Sequence, residues 1–142
     1  MGKYKRKEDE WVQNVAKDFV AVARKWGITN GKILDVGTGT GLIAIEFAKN
    51  LPELEVIGLD LSEDALQEAE RNVQECEVPL KISFEKGNAE DMPFDDSVFD
   101  LLISNNALHL VDNPVKMFNE IQRVLKPGGR FFISDFRRSW IS

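Results

Sequence analysis

Residues 33–45 read ILDVGTGTGLIAI, with an acidic residue and three glycines at alternate positions: Asp35, Gly37, Gly39 and Gly41. An apolar run leads into Asp35, and a helix-like stretch follows the last glycine. A backbone without side chains at such a junction can approach a bound molecule closely, because no Cβ stands in the way. The helix start adds N–H groups that suit an anionic end of a ligand. Farther along, Asp60 closes the apolar run VIGLD. An ionised carboxylate there can accept charge-assisted hydrogen bonds from a pair of hydroxyls. His109, in NNALHLV, is the single histidine of the chain. It is the one nominee for moving a proton or orienting a second reactant.

Each of these residues also has an ordinary structural use. Asp35 can cap the following helix, Asp60 can serve the helix that starts at Ser62, Asn88 suits a turn, and His109 can bond locally. Asp95 and Asp96, in PFDDSVFD, read as a solvated turn rather than a catalytic carboxylate pair.

The elements that must position these residues follow from pattern. Trp11, Val15, Phe19, Val22 and Trp26 recur at helical spacing and predict an amphipathic helix ending near Gly27. Lys32–Val36, Val56–Asp60, Lys81–Glu85, Phe99–Ser104 and Arg130–Asp135 predict five strands; the fourth, FDLLIS, is apolar nearly throughout, as a buried parallel strand should be. Helices are predicted over Gly41–Asn50, Ser62–Glu75 and Pro114–Leu125, with Ser62 as N-cap and Glu63 and Asp64 in the first turn. Lys126-Pro127-Gly128-Gly129 is expected to end the last helix and turn the chain. Strands alternating with helices at this pitch imply βαβ units and a parallel sheet covered on both faces.

Composition narrows the classes. The chain has 142 residues, 43% hydrophobic and 30% charged, which fits one domain with one core. The expected layout is a single domain over 1–142, with an N-terminal helical segment (1–29) and a core (30–142). A net charge of −6 supplies no general attraction for nucleic acid. No apolar run approaches the roughly 18 residues of a membrane span, and the start, MGKYKRKEDEW, lacks the apolar stretch of a secretory signal. One cysteine and one histidine leave no metal cluster or internal disulfide to expect. The cytoplasm is the expected compartment.

In open parallel sheets ligands sit beyond the carboxyl ends of the strands, where the glycine loop falls. A dinucleotide cradle of the form G-x-G-x-x-G would need its third glycine at position 42, which is Leu42. The spacing found is Asp35-x-Gly37-x-Gly39-x-Gly41. It resembles that of class I S-adenosylmethionine-dependent methyltransferases, as do VIGLDLS (56–62), GNAEDMPFDDSVFDLLISNNALHLVDN (87–113) and VLKPGGRFFISDF (124–136). Within that family the chain is most similar to the branch of ubiquinone and menaquinone C-methyltransferases.

The resemblance implies a doubly wound, mostly parallel, Rossmann-like α/β sheet. It implies S-adenosylmethionine as cofactor, S-adenosylhomocysteine as product and a small organic molecule as acceptor. It places Asp35, Gly37, Thr38, Gly39 and Gly41 in the cofactor loop, Asp60 on the ribose and Leu61 against the adenine. Asn88 and Ala89 fall at the adenine edge, and Ser104 and Asn105 near the methionine amino group. His109 falls on the border of the acceptor pocket. The Asn-Pro-Pro-aromatic segment of adenine and glutamine amino-methyltransferases is absent after the fourth strand.

The family's sheet has seven strands, and five are legible here; the C-terminal hairpin of strands six and seven is missing. Arg137-Arg138-Ser139-Trp140 is expected to begin the helix that precedes it. The Arg130–Asp135 strand is then expected to lack a neighbour, with Phe131, Phe132 and Ile133 poorly covered, which invites self-association. Two further readings compete with an active methyltransferase: a truncated or degenerate module that holds S-adenosylmethionine, or only a partner protein, without turnover, and a nicotinamide-dependent oxidoreductase, which Leu42 disfavours.

Overall fold

The computed structural model describes residues 7–135 and 139–141. The elements run α1 (Lys7–Lys25), β1 (Gly31–Val36), α2 (Leu42–Asn50), β2 (Leu54–Asp60), α3 (Glu63–Gln74), β3 (Ile82–Lys86), β4 (Phe99–Asn105), a 3-10 turn (Leu108–Leu110), α4 (Pro114–Val124), β5 (Leu125–Ser134) and β6 (Ser139–Ile141). The sheet order is β3-β2-β1-β4-β5-β6. The first five strands pair in parallel, which is the doubly wound α/β architecture expected from the sequence. The strand order reverses between β1 and β4.

Alternation along the strands divides the core. Ile33, Val56, Leu101 and Ile103 face α1 and α2, meeting Phe19, Val20, Phe47 and Ala48. Leu34, Val36, Leu59, Leu102 and Ile133 face α4, meeting Met117, Ile121 and Val124. The side-chain period of two sends each neighbour to the opposite face, so both faces are apolar and both need cover. Burial of these side chains is the main stabilising term, about 1.5–3 kcal/mol for each large one.

Local signals fix the helix starts. Ser62 Oγ accepts from the N–H of Ala65 at 3.1 Å, and Asn113 Oδ1 accepts from that of Lys116 at 3.2 Å, with Pro114 in the first turn. In α1 the buried seam is Ala16, Phe19, Val20 and Ala23, whereas Trp11 is half-exposed. The small alanines let the helix sit close to α2; the tryptophans lie at its margin, and Trp26 carries the Arg130 guanidinium 3.8 Å above its ring.

Three expectations are corrected at the sheet's far edge. Ser139 and Trp140 belong to a strand, not a helix, and β6 pairs antiparallel with Phe132–Ser134; Arg137 and Arg138 lie outside the described residues. The chain thus turns back to pair part of the edge that was expected to stand bare. Phe131 and Phe132 are half-covered and Ile133 is fully buried: Phe132 packs edge-on to Phe19 at 4.6 Å and Phe131 to Phe118 at 6.2 Å. Lys126–Gly129 does not separate helix from strand either. It is an irregularity within β5, where the register shifts between the Phe99–Leu125 and Leu101–Arg130 pairs.

Candidate active site

The carboxyl ends of β1, β2 and β4 meet where the strand order reverses. A cavity of about 200 Å³ opens there, lined by Gly37 from the β1 loop, Asp60 and Leu61 from the end of β2, Asn88 to Glu90 from the segment after β3, and Ala107 and Leu110 to Asp112 from the segment after β4. Of the residues expected from sequence, the fold brings Gly37, Asp60, Leu61, Asn88 and Ala89 to one wall.

The loop is laced to β2. Gly37 and Thr38 N–H both donate to the Leu59 carbonyl, at 2.8 and 2.9 Å. Gly39 N–H donates to Asp60 Oδ2 at 2.8 Å, and Ser62 N–H to Oδ1 at 2.9 Å. Asp60 therefore does serve the start of α3, the alternative role open to it from sequence. About half of the four acceptor positions of an ionised carboxylate are used by these bonds, so others remain for a ligand.

The glycines differ in purpose. Gly37 has φ +74, and a Cβ on it would lie 2.5 Å from the Ala107 methyl; its bareness lets β1 and the post-β4 segment close on one another. Gly39 has φ +57 and nothing within 4 Å of the Cβ position, so its missing side chain faces open space. Gly41 packs against Ala69 and Phe84.

Asp35 and Thr38 lie beneath the loop rather than in the cavity. Asp35 is 2% exposed, and its Oδ2 accepts from Thr38 Oγ1 at 2.8 Å. Burial pushes the Asp35 carboxyl up to about 7; the Thr38 hydroxyl opposes this and the Asp60 charge adds to it. Ser104 Oγ donates to the Val36 carbonyl at 2.8 Å and so ties β4 to β1. Asn105 carries a buried Oδ1 with no hydrogen-bond partner among the described residues. A buried acceptor without a donor is costly; Asn105 sits one residue past the Val36–Ser104 pair and is not among the residues lining the cavity.

Asn88 lines the cavity but also builds a turn: its Oδ1 accepts from Glu90 N–H at 2.8 Å, and its carbonyl from Asp91 N–H at 3.0 Å. His109 lies outside the cavity lining. Its Nδ1 is 2.9 Å from Asp135 Oδ2. Sequence reasoning missed Glu90, Ala107, Leu110, Val111 and Asp112 as lining residues. Only the hydrophobic pair Leu110-Val111, in the segment that follows β4, offered a signal. It also missed the clamp behind the Asn88 loop. Arg123 on α4 donates to the carbonyls of Met92 and Phe94 at 3.0 and 2.7 Å and to Asp96 at 2.9 Å, while Glu120 accepts from Met92 N–H at 2.8 Å. The Arg123 guanidinium holds the Glu120 carboxyl below its ordinary range.

A family model described as a methyltransferase domain matches residues 29–141. The chain belongs to this methyltransferase family. It is a class I member near the branch of quinone-biosynthesis C-methyltransferases. Among curated relatives it is 42% identical over 100 residues to a demethylmenaquinone methyltransferase of Symbiobacterium thermophilum, covering 70% of this chain and 40% of that one. It is 33% identical over 107 residues to a ubiquinone/menaquinone biosynthesis C-methyltransferase of Geobacter sp., covering 75% and 46%. A crystal structure described as a putative S-adenosyl-L-methionine-dependent methyltransferase from Methanococcus maripaludis superposes with a TM-score of 0.76 at 25% identity, over 96% of this chain and 68% of that one. The chain thus spans less than half the length of the two curated relatives.

The methyltransferase cofactor, S-adenosylmethionine, has an ammonium, a carboxylate, a ribose diol and an adenine. The residues present suit it. The unpartnered Asn105 Oδ1 is an acceptor for an ammonium, Asp60 has acceptor capacity for a diol, and the exposed Leu61 offers an apolar surface for a ring. Among the described residues no group of side chains could hold a metal ion, and no helix is long and apolar enough to cross a membrane.

Proposed function

We propose that this chain binds S-adenosylmethionine in the cavity at the β1–β4 junction and takes part in transfer of its methyl group to a small organic acceptor. The observation that carries the reading is Asp60. Its carboxylate stands in the cavity wall, oriented by the N–H groups of Gly39 and Ser62. In this reading Asp60 accepts from the ribose hydroxyls, Leu61 and Ala89 pack on the adenine, and Asn88 serves its edge with whatever capacity the turn leaves. Gly37 and Gly39 give the backbone its approach, and Asn105 accepts from the methionine ammonium. Asp35 and Thr38 act from below by holding the loop, with Gly41 setting the helix start. His109 lies on the acceptor side.

The sulfonium supplies an already activated methyl, so these residues contribute orientation and exclusion of water. We take residues 1–142 as one working unit acting in the cytoplasm, with no part for nucleic acid. Self-association is proposed in reduced form, through the stretch of β5 that β6 leaves unpaired; a clean monomer mass by light scattering at micromolar concentration would dismiss it.

Isothermal titration of the purified chain with S-adenosylmethionine and S-adenosylhomocysteine tests the assignment, with NAD as control. Micromolar binding of either sulfur compound and none of NAD supports it. No binding to a demonstrably folded chain removes it.

A further inference from the structure

Four chain segments surround the cavity, and contacts join them in a ring. The β1 loop is tied to β2 by the Gly37 and Thr38 N–H groups on the Leu59 carbonyl, and the segment after β3 by Gly87 N–H on the Asp60 carbonyl at 3.0 Å. The segment after β4 closes on the β1 loop where Ala107 meets Gly37. The join between the segments after β3 and β4 runs through a side chain. Glu90 Oε2 accepts from the backbone N–H of Asp112 at 3.1 Å, in a bond exposed to solvent. Both residues line the cavity. Their strands stand three places apart in the sheet, roughly 14 Å at about 4.8 Å a strand, and the two segments together cover that span. Each is anchored away from the bond. Asn106 N–H donates to the Ser134 carbonyl at 2.7 Å and His109 N–H to Asp135 Oδ2 at 3.2 Å. On the other side Asp91 N–H donates to the Asn88 carbonyl at 3.0 Å and Met92 N–H to Glu120 at 2.8 Å. The ring can therefore part at Glu90 while these bonds stay made.

We infer that the Glu90–Asp112 bond is a gate on cofactor exchange: it parts to admit S-adenosylmethionine and to release S-adenosylhomocysteine, and it re-forms beside the seated ligand. This rests on the methyltransferase reading given above. At about 200 Å³ the cavity is smaller than the roughly 300–1,000 Å³ of pockets that take whole ligands of this size. It fits one end of the cofactor closely, the nucleoside end that Asp60 and Leu61 serve. A close fit inside a ring of joined segments leaves no clearance for passage unless one side yields. The Glu90 bond is the side suited to yield. Water reaches it, so parting leaves neither the carboxylate nor the Asp112 N–H unsatisfied. Leu110, two residues before Asp112, lines the cavity and is 74% exposed, so its movement with the segment uncovers little apolar surface. A gate that opens equally with the ligand in or out changes both rate constants and leaves affinity alone. A side chain that merely touches the ligand changes dissociation and affinity together.

Glu90→Ala removes the acceptor, whereas Glu90→Gln keeps an amide oxygen that can take the Asp112 N–H without the charge. Association and dissociation of S-adenosylhomocysteine, followed in real time on the immobilised full chain, read the gate. In Glu90→Ala both rate constants are expected to rise about three- to tenfold, the worth of one hydrogen bond, with Kd unchanged within about twofold. In Glu90→Gln both should stay within about twofold of the parent. Exchange of the Asp112 amide hydrogen, followed by NMR on the chain alone, should rise at least about threefold in the alanine variant and stay near the parent value in the glutamine variant. Unchanged rates in Glu90→Ala, a rise in dissociation alone, glutamine behaving as alanine, or Asp112 exchange indifferent to Glu90 would each overturn the gate. A folded parent chain that does not bind S-adenosylhomocysteine would remove the cofactor assignment, and the gate with it. Binding by the parent together with any of the former results removes the gate alone.

Discussion

The backbone N–H of Gly39 donates to Asp60 Oδ2 across 2.8 Å. This bond joins the loop after β1 to the end of β2 and turns two separate sequence signals into one wall. It also lets Asp60 act twice, on the loop and on a ligand.

Asp60→Ala is expected to lose S-adenosylhomocysteine affinity by at least about tenfold. Hydrogen bonds to a charged group are worth about 1.5–3 kcal/mol, and tenfold is about 1.4 kcal/mol. Asp60→Asn keeps one acceptor oxygen and should fall between the two. Calorimetric titration gives both constants; unchanged affinity in the alanine variant would break the ribose assignment.

Gly37 and Gly39 should respond differently to alanine. Gly37→Ala meets the Ala107 methyl at 2.5 Å and keeps a left-handed φ of +74, which together should cost at least about 2 kcal/mol of stability. Gly39→Ala has room and incurs only the left-handed strain, about 1–2 kcal/mol. Its methyl would enter open space beside Asp60, so its main loss should be in cofactor affinity. Urea unfolding and titration on both variants separate the two. Ala107→Gly should partly rescue Gly37→Ala and leave Gly39→Ala unaffected.

Asp35 makes stability depend on pH in a defined direction. Its folded pKa lies near 7 against a reference of 3.8, so the folded state holds a proton that the unfolded chain gives up. That contribution is complete below about 3.8 and is lost as pH rises through about 7. Asp35→Asn removes the titration and can still accept from Thr38. Its stability relative to the parent should therefore rise between about pH 4 and 7 and level off above. Urea midpoints across that range measure the difference, and a flat difference would contradict the raised pKa of the buried carboxyl.

Arg123→Ala should loosen the loop that carries Asn88 and Ala89. It strips the partly buried Phe94 carbonyl of its guanidinium donor, leaves the Met92 carbonyl with the Phe94 N–H, and removes the cation from Glu120, which keeps the Met92 N–H. The expected destabilisation is about 1–3 kcal/mol, with weaker binding of S-adenosylhomocysteine. Lysine cannot span the same carbonyls and carboxylates with its single ammonium, so Arg123→Lys should recover only part. Equal affinity in parent and alanine chains would show that the loop holds its shape without the clamp.

The sequence by itself determined the parallel α/β core, because its signals are local. The apolar run of β4, the cap at Ser62, and the glycine spacing after Asp35 each act within a few residues of the chain. Gly37 and Asp60 were legible because strand ends in a doubly wound sheet must converge, whereas Leu61, Asn88 and Ala89 were legible only through the resemblance to class I methyltransferases. What each side chain does there was decided only by tertiary structure. Asn88 spends its oxygen on a turn, Asp35 and Thr38 bond each other under the loop, and Ser104 holds Val36. Sequence pattern cannot tell such uses from ligand contact, since the same oxygen serves either. The Arg123 clamp, the His109–Asp135 pair and the return of β6 onto β5 depend on approaches between residues remote in the chain or on pairing without periodicity. Only the packed sheet, which fixes which ends lie side by side, brings them together.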